Sequence, residues 1–397
     1  MADSDFGSDP PNGADGAGDA KLNDKQVHRP QRDAARGGAR ALGSDEGYAQ
    51  PIYGALDLGT NNCRLLLARP SRRGFRVVDA FSRIIRLGEG VSQTGALSPF
   101  AMQRTMEALR VCAGKIERHN VTRMRMVATQ ACRIAENGGA FINRVRDGFG
   151  LEIEVLTPET EARLAVAGCS TLIDPSADYV LVFDIGGGSS EVVWLDLTRL
   201  GARRGSVNGR INVDDAVVAW TSLPVGVVTL SERFGGREVT PDTFAAMSAA
   251  VQEMLQPFEA EHAFSRMTAG KSMHLLGTSG TVTTIAGILL GLPRYDRSRV
   301  DGIWLDVPEI EDVTNRLMSL SYEERVQEPC IGRERADLVL AGCAILSGIM
   351  RVWPASRLRV ADRGLREGIL TTLMIEDGVW RNSRRRRGGG RRRGDSA

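Results

Sequence analysis

Two short segments of the sequence place an aspartate, glycines and small polar residues between runs that are typical of β-strands. They are LDLGTNNCRLLL and VFDIGGGSSEVVW, in which the residues of interest are Asp57, Gly59, Thr60, Asn61, Asp184, Gly186, Gly187, Gly188 and Ser189. A turn built from glycine, serine or threonine exposes several backbone N–H groups, and these can converge on the oxygens of an anion. Phosphate is the anion that we expect at both turns.

The aspartates of these segments require a positively charged partner if phosphate binds nearby. Asp57 and Asp184 would repel a phosphate group directly unless a divalent cation lay between them. Mg²⁺ is usually held by one or two carboxylates together with phosphate oxygens. We therefore interpret both aspartates as ligands of Mg²⁺ or of its bound water, with Mn²⁺ as an alternative metal, and we expect two facing turns to clamp one phosphate chain.

The two segments are copies of one plan. About 127 residues separate them, and aligning Asp57 with Asp184 also aligns Gly59 with Gly186 and places Arg64 opposite Glu191. A single turn of this kind is commonly no more than a tight hairpin. The second copy, and a third glycine-rich turn at residues 275–287 that leads into a helical pattern, favour a functional interpretation.

The surrounding pattern alternates strands and helices. Residues 52–81 are predicted to form three strands, and residues 123–129 and 151–156 have the alternation of further strands. Ser98-Pro99 and Thr240-Pro241 are typical helix starts, because serine or threonine caps the helix and proline suits its first turn. The sequence thus predicts two α/β lobes with a cleft between them.

Composition supports a folded protein with unusual ends. The chain has 397 residues, 42% hydrophobic and 25% charged, and a formal net charge of +2. No apolar run is long enough for a membrane span and the N-terminus lacks the pattern of a secretory signal, so we expect a cytoplasmic location without membrane contact. Six scattered cysteines are expected to be reduced core thiols. Residues 1–50 and the arginine-rich tail at 381–397 are expected to be disordered.

Eight segments, in this order along the chain, resemble the exopolyphosphatase/guanosine pentaphosphate phosphatase (Ppx/GppA) family. They are ALDLGTNNCRLL, VATQACRIAENG, VLTPETEARLA, VFDIGGGSSEVVW, SLPVGVVTLSE, LGTSGTVTTIAG, ERADLVLAG and VADRGLREGIL. The resemblance runs from Tyr53 to about Trp380 and is to the short two-domain type. It implies a duplicated, two-lobe α/β fold of the actin-like, ribonuclease H-like type, within the actin, Hsp70 and sugar-kinase superfamily. Residues 51–157 would form lobe I and residues 158–363 lobe II, with a helix at about 364–380 returning to lobe I.

The same resemblance assigns roles to individual residues. Glu161, the second glutamate of PETE, matches the proposed general base, although Thr157 as N-cap with Glu159 and Glu161 in the first turn is also an ordinary helix start. Asp184 and Glu191 match carboxylates that organise metal and water, and with Asp57 they form the expected metal set. Arg64 and Arg133 match arginines that bind phosphate or line the cleft, and either could instead be an ordinary ion-pair partner.

The implied reaction is hydrolysis of the terminal phosphoanhydride of inorganic polyphosphate, with release of orthophosphate. Further basic cleft walls are expected from Arg83, Arg86, Arg144 and Arg146. Two alternatives stay open: a guanosine pentaphosphate 5′-phosphohydrolase with the same catalytic set, and an actin-like nucleotide-binding switch with little turnover. Relatives suggest a homodimer, and the arginine tail is a candidate contact for RNA or polyphosphate.

Overall fold

A computed structural model describes residues 50–72, 74–205 and 213–380 of the chain. The predictions of a disordered N-terminal segment and a disordered arginine tail therefore fall almost wholly outside the described residues. Within the described residues, no helix is both long enough and apolar enough to span a membrane.

The first lobe is built on a five-stranded mixed sheet with the strand order β3-β2-β1-β4-β5. Its strands are β1 (Tyr53–Leu58), β2 (Asn62–Ser71), β3 (Gly74–Ile84), β4 (Arg123–Ala128) and β5 (Ile153–Val155). β1, β2 and β3 form an antiparallel meander, whereas β4 pairs parallel to β1 and β5 parallel to β4. Four of the five strands fall within the segments in which the sequence predicted strands, and β3 begins within the segment 52–81 but continues to Ile84.

The second lobe repeats this plan with one additional strand. Its strands are β6 (Tyr179–Ile185), β7 (Ser190–Asp196), β8 (Val217–Leu223), β9 (Met273–Thr278), β10 (Trp304–Asp306) and β11 (Arg357–Ala361). Their order is β8-β7-β6-β9-β11-β10, and β6, β7 and β8 again form an antiparallel meander. β9 and β11 run parallel to β6, whereas the edge strand β10 pairs antiparallel to β11. The predicted duplication is thus a duplication of topology, and the predicted α/β class is confirmed.

Helices connect and cover the two sheets. In lobe I they are α1 (Val91–Thr94), α2 (Pro99–Arg118), α3 (Gln130–Ile134) and α4 (Gly138–Phe149). The others are α5 (Pro158–Cys169), α6 (Val227–Phe234), α7 (Pro241–His262), α8 (Phe264–Met267), α9 (Gly280–Leu289), α10 (Arg297–Val300), α11 (Val307–Ser319), α12 (Tyr322–Gln327), α13 (Val339–Val352) and α14 (Leu365–Glu376). Short 3₁₀ turns lie at Ser170–Leu172, Leu197–Gly205 and Asp214–Ala216.

Helix starts follow the capping chemistry expected from the sequence. Ser98, Thr157 and Thr240 each precede a proline, and each side chain accepts a hydrogen bond from the backbone N–H three residues on, at 3.1–3.2 Å. These bonds satisfy one of the N–H groups that a helix start leaves without an intrahelical partner. The start of α5 is therefore fixed at Pro158, which determines where Glu161 points.

Helices α5 and α14 join the two lobes. They pack against each other closely, with Gly168 of α5 and Gly364 before α14 in backbone contact. Ala162 and Val166 of α5 face the core of the second sheet, whereas Leu164 shares an apolar cluster with Ile369 of α14 and strands of the first sheet. This paired arrangement brings the ends of both sheets to one cleft.

Candidate active site

A cavity of about 560 Å³ lies between the lobes. Eleven of the residues singled out from the sequence line it: Asp57, Gly59, Thr60, Asn61, Arg64, Glu161, Asp184, Gly186, Gly187, Gly188 and Ser189. Glu191 and Arg133 are not among its lining residues, and they lie behind it. One cavity therefore brings together both copies of the turn and the start of α5, which are distant in sequence.

The two turns have the same internal geometry. The N–H of Gly59 donates to the carbonyl of Asn62 at 2.9 Å, and the N–H of Gly186 donates to the carbonyl of Ser189 at the same distance. Across the strand pairs, Asp57 lies opposite Arg64 and Asp184 lies opposite Glu191. Arg64 and Glu191 each follow their aspartate by seven residues in the sequence, and in the structure each lies opposite that aspartate on the paired strand. The residue opposite the aspartate is thus an arginine in lobe I and a glutamate in lobe II.

In the second turn, the carbonyl groups are held away from the cavity. The backbone N–H groups of Val227 and Val228, at the start of α6, donate to the carbonyls of Gly186 and Gly187 at 3.0 and 2.7 Å. The C=O and N–H of a trans peptide point in opposite directions, so the N–H groups of Gly187 and Gly188 point away from α6. Within the described part of the chain these two N–H groups have no hydrogen-bond partner, and they are available to an anion.

The first turn is oriented by a different segment to the same effect. The N–H of Gly88 donates to the carbonyl of Thr60 at 2.9 Å, and the N–H of Ile85 donates to that of Asn61 at 2.8 Å. The N–H of Asn61 consequently points away from the 85–88 loop and toward the other turn. Each lobe therefore directs backbone donors at the same gap, as clamping one anionic chain requires.

Glycine is required in the second turn because the other turn approaches its backbone. A Cβ added to Gly187 would lie 3.0 Å from the backbone N of Asn61, and one added to Gly188 would lie 1.9 Å from Oε1 of Gln130. On the opposite side, a Cβ on Gly226 would lie 2.4 Å from the backbone carbon of Gly187. The glycine run thus lets the two lobes meet and lets α6 hold the turn from behind.

Glu161 lies at the start of α5 with its carboxyl group at the cavity wall. Its side chain is 12% exposed, and Oε2 accepts a hydrogen bond from Nη1 of Arg133 at 3.1 Å. The same Nη1 donates to the carbonyl of Leu156 at 2.8 Å, which fixes the arginine. Burial, followed by the nearby charge of Glu191, raises the pKa of Glu161 to about 9, whereas Arg133 opposes that rise. A group of this kind can hold or release a proton near neutral pH once the local charge changes.

The other carboxylates form an anionic centre behind the turns. Burial raises the pKa of Asp184 well above its ordinary value and also raises that of Asp57 and Glu191, and the charge of Glu191 adds to the effect at Asp184. Glu191 is 2% exposed and accepts a hydrogen bond from Ser222 at 2.8 Å. Burial disfavours the ionised form of these carboxyl groups and a bound cation would favour it, so the centre fits a hard divalent cation with oxygen ligands.

The expected metal set is nevertheless spread out. Among the described residues, no three carboxylate, histidine or cysteine groups are grouped closely enough to hold a metal by themselves. Asp57 and Asp184 line the cavity, whereas Glu191 lies behind it. These residues therefore fit an ion such as Mg²⁺, which completes its coordination with water and substrate oxygens. They do not fit a metal that is coordinated by protein ligands alone.

The sequence reasoning missed a charged group on the far wall of the cavity. Arg297 Nη2 donates to Oε1 of Glu367 at 2.8 Å, and the N–H of Gly364 donates to Oε2 of the same residue at 3.0 Å. Burial alone would raise the pKa of Glu367, but Arg366 and Arg297 hold it below its usual value. The signal for it in the sequence was the polar segment DRGLREG at residues 362–368, which follows strand β11, since polar residues where a strand ends and a helix begins often lie at a site.

The third glycine-rich turn is also part of the cavity wall. Ser279 caps α9 by accepting from the N–H groups of Thr281 and Val282 at 3.1 and 3.3 Å. Ser279, Gly280 and Thr281 line the cavity on the side of the second lobe. The turn therefore borders the same space as the two clamping turns.

Contacts between the lobes close one edge of the cleft. Arg86 forms a two-pronged pair with Asp337, with both N–O distances at 2.9 Å. Glu232 on α6 accepts hydrogen bonds from the N–H of Gly90 at 2.8 Å and from Oγ of Ser92 at 2.6 Å. Since Arg86, Gly90 and Ser92 belong to lobe I and their partners to lobe II, these contacts favour the closed arrangement.

Comparisons with known proteins agree with this geometry. The family model described as Ppx/GppA phosphatase family matches residues 67–376. A Ppx/GppA family member from Aquifex aeolicus is 27% identical, with a TM-score of 0.66 over 82% of this chain and 98% of that one. An exopolyphosphatase-like protein is 28% identical, with a TM-score of 0.69 over 81% and 97%.

A further solved structure supports the fold alone. An exopolyphosphatase from Cytophaga hutchinsonii is 22% identical, with a TM-score of 0.71 over 82% of this chain and 98% of that chain. The predicted resemblance to this family and the predicted two-lobe, actin-like α/β fold are both confirmed by these matches.

Proposed function

Because the chain belongs to the Ppx/GppA phosphatase family, we propose that it is an exopolyphosphatase, which removes the terminal phosphate of inorganic polyphosphate by attack of water. The observation that carries this proposal is that one cavity holds the backbone donors of both turns and the carboxyl group of Glu161. Phosphoanhydride hydrolysis depends mainly on positioning and on neutralising oxygen charge, and this arrangement supplies both.

Different residues of the cavity are proposed to bind the phosphate and the metal ion. The N–H groups of Asn61, Gly187 and Gly188 bind oxygens of the terminal phosphate, and Arg64 adds a positive charge to the same wall. Asp57 and Asp184 would hold Mg²⁺ or Mn²⁺, and Glu191 would act from behind them. When bound, such an ion would neutralise phosphate oxygen charge.

Glu161 is proposed to move the proton. Its Oε2 is engaged by Arg133, so Oε1 is the oxygen available to a water molecule. The water oxygen bonds to the terminal phosphorus, its proton passes to Glu161, and the bond from phosphorus to the bridging oxygen breaks. The products are orthophosphate and a chain shorter by one phosphate, which leaves with the bridging oxygen. In this assignment Arg133 positions Glu161 and does not touch the substrate.

The lining of the cavity favours a phosphate chain over a nucleoside. Five arginines and five carboxyl groups line it. Arg297 and Arg363 are paired with Glu367 and Asp301, whereas Arg64, Arg335 and Arg366 form no ion pair within the described residues. Tyr295 is the one aromatic residue among the described lining residues, and its hydroxyl donates to Asp362 at 2.6 Å. A site that must recognise a base usually offers a stacking surface, whereas a polyanion requires mainly positive charge.

A guanosine pentaphosphate 5′-phosphohydrolase is the second candidate, and one observation favours it. Ile331, Leu338 and Val339 give the cavity an apolar wall in the second lobe, where a base could lie. Membership of a phosphatase family supports either hydrolase over a nucleotide-binding switch without turnover. A cytoplasmic location, a homodimer and a role of the arginine tail stay predictions.

Phosphate release measured side by side from polyphosphate and guanosine pentaphosphate tests the proposal. The assay uses the full chain with Mg²⁺ and compares kcat/KM for the two substrates. A larger kcat/KM for polyphosphate is the expected result. Preference for guanosine pentaphosphate would overturn the exopolyphosphatase assignment in favour of the second candidate.

A further inference from the structure

The hairpin between β2 and β3 carries positive charge at the opposite end of β2 from the first turn. Arg69 and Arg76 lie directly opposite each other on the two strands, and Arg72 lies at the tip. Arg72 and Arg76 are exposed and Arg69 is partly exposed. We name Arg69, Arg72 and Arg76 the hairpin arginines.

The hairpin arginines are not neutralised by carboxylates of the described residues. None of them forms an ion pair or a side-chain hydrogen bond there, and Nε of Arg69 is buried without a partner. Glu376 and Asp377, at the same end of the sheet, both pair with Arg123 instead. Like charges directly opposite each other on paired strands destabilise a sheet. The hairpin arginines are therefore available to an anionic ligand that would offset this repulsion.

The last described residues of the chain pack on the same hairpin. Nε1 of Trp380 donates to the carbonyl of Ser71 at 2.9 Å, and Trp380 packs against the apolar cluster that Phe75 of β3 also contacts. Residues 381–397 follow directly in the sequence, and they contain eight arginines and one acidic residue, Asp395. Because this segment is bonded to Trp380, it begins beside the hairpin arginines and adds to the same positive charge.

The position of the hairpin separates this charge from the candidate active site. β2 runs for 10 residues, from Asn62 beside the first turn to Ser71 at the hairpin. At a rise of about 3.3 Å per residue, the strand spans roughly 30 Å. None of the hairpin arginines lines the cavity between the lobes. A ligand of the hairpin therefore binds outside the cleft, and the proposed reaction does not explain this charge.

We propose that the hairpin arginines, together with residues 381–397, form a binding surface for single-stranded nucleic acid. Arginine binds phosphate through a planar fork of donors and also stacks on flat rings, and a single strand offers phosphates and unstacked bases together. Arginine runs interrupted by glycines, as in RRRRGGGRRRG, are typical of segments that bind single strands. Binding through charge and base faces should depend strongly on salt and little on sequence. This inference is independent of the proposed function.

The test is the binding of a fluorescently labelled single-stranded RNA of mixed sequence to the full chain, followed by anisotropy over a range of salt concentrations. Arg72→Gln combined with Arg76→Gln removes the two exposed hairpin arginines and keeps the partly buried Arg69. The matched control, Arg110→Gln combined with Arg351→Gln, removes exposed arginines on α2 and α13. Melting temperatures of both double variants verify that the fold is kept.

The hairpin variant should bind the RNA about three- to tenfold more weakly than wild type, since exposed charge contacts are individually modest. The slope of log K against log salt concentration should become shallower by about one, because each phosphate contact on a single strand contributes roughly 0.7. The control should keep the wild-type affinity and slope. A wild-type chain that does not bind the RNA at low salt, or a hairpin variant that binds it as the control does, would overturn the inference.

Competition distinguishes nucleic acid from inorganic polyphosphate as the ligand of this surface. Unlabelled RNA and unlabelled polyphosphate are compared, at equal phosphate concentration, as competitors of the labelled RNA. RNA should displace the label at the lower concentration, because its bases add stacking to the charge that both polymers offer. Displacement by polyphosphate at an equal or lower concentration would show a surface that responds to charge alone, and it would overturn the assignment to nucleic acid.

Discussion

Arg133 in lobe I holds Glu161 at the start of α5, with Nη1 3.1 Å from Oε2. From the sequence, this arginine was expected to bind phosphate or line the cleft, with an ordinary ion pair as the alternative. Its guanidinium lies against the carboxyl group of Glu161 and the carbonyl of Leu156. The pair connects the segment that follows β4 with the helix that joins the two lobes. The predictions below depend on this pair, on the two turns and on the contacts that hold the lobes together.

Arg133→Gln should shift the pH dependence of catalysis. A general base must be ionised, so activity is present above its pKa and is lost as the pH falls below it. Burial raises the pKa of Glu161 to about 9 and the charge of Arg133 opposes that rise, so loss of the arginine should raise the pKa further. The acidic limb of kcat/KM should therefore move to higher pH. Arg125→Gln, which breaks an exposed pair with Glu154, is the control, and an unmoved limb in Arg133→Gln would contradict the pairing.

Gly188→Ala should disable the clamp without unfolding the lobes. The added Cβ would lie 1.9 Å from Oε1 of Gln130 and 2.9 Å from Oγ1 of Thr60, so these buried side chains must shift, which disturbs the approach of the two turns. We expect kcat/KM to fall by roughly 100-fold, as misplacement of reacting groups by about an ångström can cause. Gly139→Ala, where an added Cβ meets nothing within 4 Å, should leave it unchanged. Melting curves of both variants would separate loss of the clamp from loss of the fold.

Part of this site could be predicted from sequence and part could not. The turns could be found because each is local, and the offset between Asp57 and Asp184 reflects a duplicated topology. The partner of Arg133 could not be found, because arginine suits phosphate and carboxylate equally well and the choice depends on where α3 meets α5. Arg86 and Asp337 are 251 residues apart, and no local pattern indicates such a pair.

The other expected basic residues illustrate the same limit. Arg83 borders a second, smaller cavity of about 300 Å³ beside the first, Arg86 joins the lobes, and Arg144 and Arg146 lie on α4 without bordering either cavity. Their charge could be read from the sequence, but the face of the fold on which each lies is set by packing. Glu367 was missed for a related reason, since its partner Arg297 lies 70 residues earlier in the chain.

Weakening the contacts between the lobes should open the cleft. Asp337→Asn combined with Glu232→Ala removes the carboxylates that bind Arg86, Gly90 and Ser92. Each partly exposed contact is worth up to about 1 kcal/mol, so kcat/KM should fall by about three- to tenfold. Small-angle X-ray scattering should show a larger radius of gyration. Glu159→Gln, which breaks an exposed pair within α5, should change neither quantity, and an unchanged radius in the double variant would refute the closing role.

His274 should make stability fall in acid. It is fully buried, its Nδ1 donates to the carbonyl of Leu275 at 3.0 Å, and its Nε2 accepts from the N–H of Asp174 at 3.3 Å, so the folded state holds it neutral. Burial lowers its pKa below the ordinary 6.5. The unfolded chain therefore binds a proton that the folded chain does not, and the free energy of unfolding should decrease as the pH falls below about 6.5.

The measurement for His274 is the slope of unfolding free energy against pH between about 5 and 7. His274→Gln removes the titrating group and should flatten this slope, even if its overall stability is lower. His262→Gln, on a partly exposed histidine, should keep the wild-type slope. Equal slopes in wild type and His274→Gln would show that the buried histidine does not titrate as described.

The most direct measurement of the central claim is phosphate release from polyphosphate by Glu161→Gln beside Glu159→Gln. Both glutamates lie in the first turn of α5, but Glu161 is buried at the cavity and Glu159 is exposed and paired with Arg163. Glu161→Gln should lower kcat by about 100- to 10,000-fold while polyphosphate binding stays within a few-fold of wild type, and Glu159→Gln should behave as wild type. Unchanged kcat in Glu161→Gln, or loss of binding with normal turnover of bound chains, would contradict the role of Glu161 as the base.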